Sequence, residues 1–342
     1  MKLEPNELAS IMGTSTMTTL SKDDTGGLLL YAPLMHSKIT ESMSSLNSVV
    51  FDKDSEIRLA LTCLLAQGHL LIEDVPGVGK TTLVRALGKV CGLDVQRIQF
   101  TVDLLPADLL GASIYNQSTQ NFTFRKGPLF SQMVIADELN RASPRTQSAL
   151  LQAMEEQEVS IDSQTFSLPQ PFFVVATQNP HQQVGTFPLP ESQIDRFMMS
   201  LELNYPNSTV ELAILTAGDP KDRIKNLKQI LSTEDFKTAF IEISKVNVSE
   251  IVAKYVSLLL NKSRTTFSGL KSGSLPLSTR AGILLVRAAK AWAFIDGKKF
   301  VTPDDVQKVM SPVLGHRLGG SHGVRQGHQW AELLRRETEV PI

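Results

Sequence analysis

Up to about residue 204 the chain alternates short apolar runs with stretches of helical period; beyond it only helical periods remain. The runs at 69–73, 97–100, 133–136, 172–177 and 198–203 are brief and mostly apolar, as strands buried on both faces should be. Segments 80–90 and about 144–156 carry apolar residues three and four apart, the mark of amphipathic helices. Strands separated by helices predict an α/β domain with a parallel sheet covered on both faces. Two helices are expected ahead of it, over 39–47 and 55–66. In the second, Ile57, Leu61, Leu64 and Leu65 share a face. Two polar-tipped segments, about 111–126 and about 157–170, read as hairpins inserted into this order.

After Tyr205 the segments 207–217, 250–262, 279–295 and 303–313 read as helices. The third is apolar except for Arg280, Arg287 and Lys290 on one side. The expected organisation is an arm over 1–35, an α/β domain over 36–204 and a helical domain over 205–342. Residues 315–336 are rich in glycine and basic side chains, and two readings stay open: a short helical cap or an ordered tail.

Between the first strand and its helix lie Asp74, Val75, Pro76, Gly77, Val78, Gly79, Lys80, Thr81 and Thr82. Pro76, Gly77 and Gly79 break the strand, and Lys80 opens the helix. Such a turn aims unpaired backbone N–H groups at one spot, where the helix dipole also favours negative charge. A polyphosphate suits that spot, with Lys80 on its outer phosphates and the Thr81 hydroxyl on Mg²⁺. The usual pattern, G-x-x-x-x-G-K-[ST], lacks its first glycine, because Asp74 stands there. The plain alternative is an ordinary strand-to-helix turn.

Three further strand ends or turns carry candidate chemistry. MVIADE ends in Asp137 and Glu138, beside the glycine loop where ligands of open α/β sheets sit. Asp137 would hold the Mg²⁺ shell and Glu138 would polarise a water for attack on a γ-phosphate; a solvated acidic turn is the alternative. FFVVATQN ends in Asn179, placed to orient that water or touch the γ-phosphate; Asn also favours the turn before Pro180. PESQIDRF presents Arg196, which in a ring of identical subunits could reach a neighbour's nucleotide. Its alternative is an ion pair with Glu191 or Asp195. Arg280 opens a helix, where a cation opposes the dipole, and could contact phosphates across a cleft.

Length and composition narrow the partners. The 342 residues fit one large domain or two ordinary ones, and 42% hydrophobic residues can build a core. A net charge of −1 and 6% aromatics offer nucleic acid neither a basic groove nor a stacking platform. Cys63 and Cys91 have no metal or disulfide spacing and suit a reducing cytoplasm. No apolar run reaches the ~18 residues of a membrane helix. Glu4, Asn6 and Glu7 interrupt any signal-peptide core.

EDVPGVGKTTL, GPLF, DELNRASPRTQSALLQAMEE, LPQPFFVVATQNP, PLPESQIDRF and LSTRA, in this order and spacing, resemble the MoxR family of AAA+ ATPases over about residues 39–318. The resemblance implies a P-loop domain with sheet order 5-1-4-3-2 and an all-α lid. It also implies a ring, usually a hexamer, and chaperone-like work on proteins, often with von Willebrand A domains, in maturation, assembly or metal insertion. ATP and Mg²⁺ are the implied cofactors. On this match Lys80 and Thr81 are the Walker A pair, and Asp137 and Glu138 the Walker B pair. Asn179 is sensor one, Arg196 the arginine finger and Arg280 sensor two, from its own or a neighbouring subunit. The hairpins match the helix-two insert and the pre-sensor-one hairpin, which in this clade face the ring's pore. A nucleic-acid motor or loader of the same clade is the alternative function. Asp52–Lys53 stands where many members carry Gly-Gln or Gly-Lys, near the adenine pocket.

Overall fold

The structure is a computed structural model that describes residues 25–118, 120–162, 164–179, 185–267 and 275–341. The chain runs through α1 (Thr25–Asn47), α2 (Asp54–Leu65), β1 (Leu70–Glu73), α3 (Lys80–Val90), β2 (Val95–Gln99) and α4 (Pro106–Leu110). A hairpin of β3 (Gly111–Asn116) and β4 (Asn121–Lys126) follows, then β5 (Met133–Asp137) and α5 (Pro144–Glu156). A second hairpin, β6 (Glu158–Ile161) and β7 (Gln164–Ser167), precedes β8 (Phe173–Gln178), α6 (Glu191–Ile194) and β9 (Met199–Leu201). The rest is helical: α7 (Ser208–Thr216), α8 (Pro220–Asn226), α9 (Thr233–Lys245), α10 (Glu250–Lys262), α11 (Thr279–Ile295), α12 (Pro303–Gly319) and α13 (Gly323–Glu337).

The five core strands pair in the order β2-β5-β8-β1-β9, all parallel. Counted along the chain this is the expected 5-1-4-3-2. The register sets Glu73 beside Gln178 and Gln99 beside Asp137. The carboxyl ends of β1, β2, β5 and β8 therefore form one edge, and the loops leaving them converge there.

Side chains alternate across the sheet. Leu70, Ile72, Met133, Ile135, Phe173 and Val175 face a core shared with α1, α2 and α3 that runs on into the helical region. Leu71, Val134, Ala136, Val174 and Ala176 face a second core with Leu150, Leu151 and Met154 of α5. The pairs β3–β4 and β6–β7 form separate two-stranded sheets.

Helical boundaries depart from expectation at both ends. Of the arm expected over 1–35, residues 1–24 lie outside the described residues, and α1 starts at Thr25 rather than 39. α12 passes its expected end at 313 and carries Pro312 inside it, and α13 follows at Gly323. Residues 315–336 are thus largely helical. Their glycines serve packing: a Cβ on Gly327 would lie 1.9 Å from the Gly315 carbonyl oxygen, and one on Gly315 would lie 2.0 Å from His328. α12 and α13 approach closely because these two positions lack side chains.

Candidate nucleotide site

β1 ends and the chain turns through the glycine loop into α3. Gly77 and Gly79 sit at φ 87° and 92°, a region L side chains avoid. A Cβ on either would meet nothing within 4 Å, so backbone conformation rather than crowding calls for glycine. Gly79 is the N-cap of α3, and no side chain caps it. The first-turn N–H groups of this eleven-residue helix are left for an outside acceptor. Thr81 and Thr82 occupy that turn, and Val78 packs its side chain against the core.

Lys80 is half-buried and donates to the Asp74 carbonyl oxygen (2.6 Å) and to Asn179 Oδ1 (3.1 Å). Burial lowers its pKa, and the carboxylates of Asp74, Asp137, Glu138 and Glu73 oppose that shift. The cation therefore stands among acids from the ends of both β1 and β5.

The Asp74 side chain points elsewhere. Its Oδ1 accepts from Val75 N (2.7 Å), and its Oδ2 accepts from the N–H groups of Leu203 and Asn204 (2.6 Å each). In place of the usual glycine this chain has a buried latch between the phosphate loop and the strand end leading into the helical region. Glu73 acts alongside it: its carboxylate accepts from Val324 N (3.0 Å) at the start of α13 and from Gln178 Nε2.

Asp137 is buried, with Oδ1 accepting from the Thr177 hydroxyl (3.2 Å) and Oδ2 from Arg97 Nε (2.6 Å). A carboxylate has about four acceptor sites, so capacity remains for a metal-bound water. Glu138 adopts φ 55°, the left-handed region, which turns its side chain out of the strand direction. Its Oε2 meets Gln99 Nε2 (3.1 Å) and Arg141 Nε (3.0 Å). Arg97, Gln99 and Thr177 are missed by motif reading; the signal for the first two is their place on either side of buried Ile98 in β2. Asp52 also adopts φ 55°, the conformation that a glycine would take there most readily. It accepts from Asn207 Nδ2 at 3.3 Å.

Arg196 and Arg280 meet each other's partner rather than Lys80. Arg196 Nη2 lies 2.9 Å from Glu155 Oε2, and Arg280 Nη1 lies 2.9 Å from Glu155 Oε1. Arg280 lowers the pKa of Glu155 chiefly through this hydrogen bond. The alternative pairing of Arg196 with Glu191 or Asp195 does not occur; Asp195 instead pairs with Arg317. Glu155 adjoins Met154, whose carbonyl oxygen lies 3.2 Å from His69 Nε2, and Met198 N donates to His69 O. Both arginines thus stand at the amino edge of the sheet, opposite the edge bearing Lys80, Asp137 and Asn179.

The uncapped turn, the two glycines and Lys80 fit a polyphosphate. Thr81 and Asp137 would hold Mg²⁺, which takes one or two protein ligands alongside phosphate oxygens. No helix among the described residues is long and apolar enough to cross a membrane.

Residues 69–199 match the model of the ATPase family associated with various cellular activities (AAA), and residues 271–336 match the AAA lid domain. YeaC of Bacillus subtilis is 43% identical over 85% of this chain and 89% of its own length. Chaperone MoxR1 of Mycobacterium tuberculosis is 37% identical over 86% of this chain and 78% of its own length. A crystal structure from Cytophaga hutchinsonii superposes with a TM-score of 0.81 at 37% identity, over 93% of this chain and 99% of that one. Relatives of such identity along most of the chain, together with the matched AAA and AAA lid models, establish that it belongs to the MoxR family of AAA+ ATPases.

Proposed function

We propose that this chain is a Mg²⁺-dependent ATPase that hydrolyses ATP at the contact between neighbouring copies in a ring, of six in the family's usual form, and so remodels protein clients. One observation carries the reading: the catalytic groups divide between two opposite edges of one sheet. Lys80, Asn179, Asp137 and Glu138 gather at the carboxyl edge. Arg196 and Arg280 share Glu155 at the amino edge. A four-residue strand rising ~3.3 Å per residue separates the edges, so neither arginine serves its own nucleotide. A head-to-tail ring brings one edge against the other. This supports assigning Arg280, like Arg196, to the neighbouring copy's site.

In that site Lys80 and the α3 N–H groups hold the phosphates, and Thr81 and Asp137 hold Mg²⁺. Bound Mg²⁺ neutralises charge that grows on the phosphate oxygens. Glu138 takes the proton of the attacking water, Asn179 orients that water, and the two guanidinium groups stabilise the transferring phosphoryl group. The β3–β4 hairpin presents Tyr115 and Phe122, exposed and 5.3 Å apart. An exposed aromatic pair suits an apolar segment of a client, and proteins with von Willebrand A domains are the proposed class. The free, buried Cys63 and Cys91 suit work in the cytoplasm. The same aromatic pair is what favours the second reading, a nucleic-acid motor; DNA binding that weakens steeply with salt would support it.

Phosphate release by wild type and by Glu138→Gln tests the reading. The variant binds ATP through an intact loop and hydrolyses it about a hundredfold more slowly or worse. Hydrolysis at the wild-type rate would overturn the role of Glu138.

A further inference from the structure

The segment bearing Arg196 is gripped by one side chain from the helical region. Arg317, on α12, is 8% exposed. Its Nε donates to Asp195 Oδ1 (2.6 Å), and Nη2 donates to the carbonyl oxygens of Asp195 (2.9 Å) and Phe197 (2.7 Å). Nη1 donates to the carbonyl oxygens of Met198 (3.3 Å) and Val313. Every N–H of the guanidinium thus has an acceptor, and two of those acceptors are the peptide carbonyls on either side of Arg196. His316 adds a contact, its Nε2 lying 3.0 Å from the Phe197 oxygen. Burial lowers the Arg317 pKa, and the Asp195 carboxylate opposes that shift.

Arg196 itself is held differently. Its side chain is 28% exposed and reaches Glu155, a carboxylate that is itself exposed and shared. The side chain can leave Glu155 at small cost, since ion pairs at such exposure contribute little. The backbone that launches it cannot shift without breaking a buried, fully satisfied fork. We infer that Arg317 is the positioning residue of the arginine finger: it fixes the 195–198 backbone to α12, so the lid of one copy sets how Arg196 meets the nucleotide of the next. This rests on the reading of Arg196 as a finger delivered to a neighbour. Lysine cannot replace it, because one ammonium cannot span the Asp195 carboxylate and the flanking carbonyls at once.

The test compares Arg317→Lys, Arg196→Ala and the double variant, each as full-length protein, for ATP affinity, ring assembly and kcat. Misplacing a catalytic group by about an ångström costs about a hundredfold. The expected result for Arg317→Lys is a kcat loss of that order, with ATP affinity and assembly near wild type. The double variant should lose no more than Arg196→Ala alone. Mixing Arg317→Lys with Glu138→Gln subunits should restore hydrolysis several-fold, because the second variant lends an intact finger to the first one's intact site. Full activity of Arg317→Lys, a loss that adds to that of Arg196→Ala, or no recovery on mixing would each overturn the inference. If Arg317→Lys does not fold, Asp195→Asn removes the charged partner of the fork and is judged by the same recovery on mixing. Wild-type activity of Arg196→Ala would instead sink the finger reading, a separate and recognisable outcome.

Discussion

The Lys80 ammonium donates to the Asn179 side-chain oxygen across 3.1 Å, joining the first turn of α3 to the end of β8. The two residues are 99 positions apart, and parallel pairing of β1 with β8 is what brings them together. On the proposed reading, an amide there would relay the position of the lysine and a bound phosphate to the attacking water. Replacing Asn179 by Ala leaves the glycine loop and Lys80 in place. We expect ATP affinity near wild type and kcat lower by about a hundredfold, the usual cost of one preorganised polar group. Equilibrium binding of a fluorescent ATP analogue and single-turnover hydrolysis separate the two effects. A variant that loses affinity but keeps kcat would make Asn179 a binding group only.

Asp74 offers a test of structure against motif. Asp74→Gly restores the usual phosphate-loop pattern yet removes the acceptor of Val75, Leu203 and Asn204 N–H groups. The Leu203 amide is buried, and an unsatisfied buried donor costs about 1–3 kcal/mol. The expected variant is less stable by that amount in urea denaturation while still binding ATP. Unchanged stability with weakened ATP binding would show that the side chain contacts phosphate rather than latching the strand end.

How far the chain can be read without coordinates depends on whether a residue's role is local. Asp137, Glu138 and Asn179 end apolar runs that mark strands, and Lys80 follows two glycines. Their meeting at one edge follows from parallel topology alone. The role of Glu155 depends on Arg280, 125 positions away, and that of Arg317 on Asp195, 122 positions away. No local pattern reports either pairing. α9 escapes notice although its N-cap Ser232 and its third residue Asp235 form a capping box, and Phe236, Ala239 and Ile243 share its buried face with Asp235. Around Gly315 and Gly327 composition leaves a helical cap and an ordered tail both open, since a sequence does not distinguish a glycine needed for a turn from one needed where helices touch. Asp74 belongs to the phosphate loop by position, while its side chain serves the neighbouring strand.

Acid should weaken the fold before it titrates ordinary carboxylates. His69 Nδ1 accepts from Val174 N (3.0 Å), so the ring proton sits on Nε2, facing the Met154 oxygen. Burial lowers its pKa from 6.5 to about 4. His316 shifts in the same direction through burial and the adjacent Arg317. Between about pH 6.5 and 4 the unfolded chain takes up a proton that folded His69 refuses. Stability therefore falls with pH across this window, by roughly 3 kcal/mol in all for His69. Urea midpoints at pH 7 and pH 5 measure it. His69→Gln keeps an acceptor and a donor but cannot titrate, so its midpoint should change less between the two pH values. An equal change in wild type and variant would remove His69 as the cause.

On the proposed reading, the separation of Arg196 from Lys80 across the sheet would make hydrolysis a property of assembled copies. If each site holds nucleotide with its own loop and completes its charge stabilisation with a neighbour's guanidinium groups, turnover per subunit should rise with protein concentration and level off once assembly is complete. Arg196→Ala should bind ATP and assemble normally. Its kcat should fall about a thousandfold, within the range for a charge-stabilising arginine supplied by a partner. Mixtures discriminate further. Glu138→Gln subunits carry an intact arginine and a dead site, whereas Arg196→Ala subunits carry the reverse, so each alone is inactive and an equimolar mixture should hydrolyse ATP. Steady-state phosphate release across a dilution series, with mass photometry at each concentration, provides both readings. Turnover that stays constant on dilution to monomers, or a mixture no more active than its parts, would mean that Arg196 serves its own copy, and the opposite-edge arrangement would then need a different explanation.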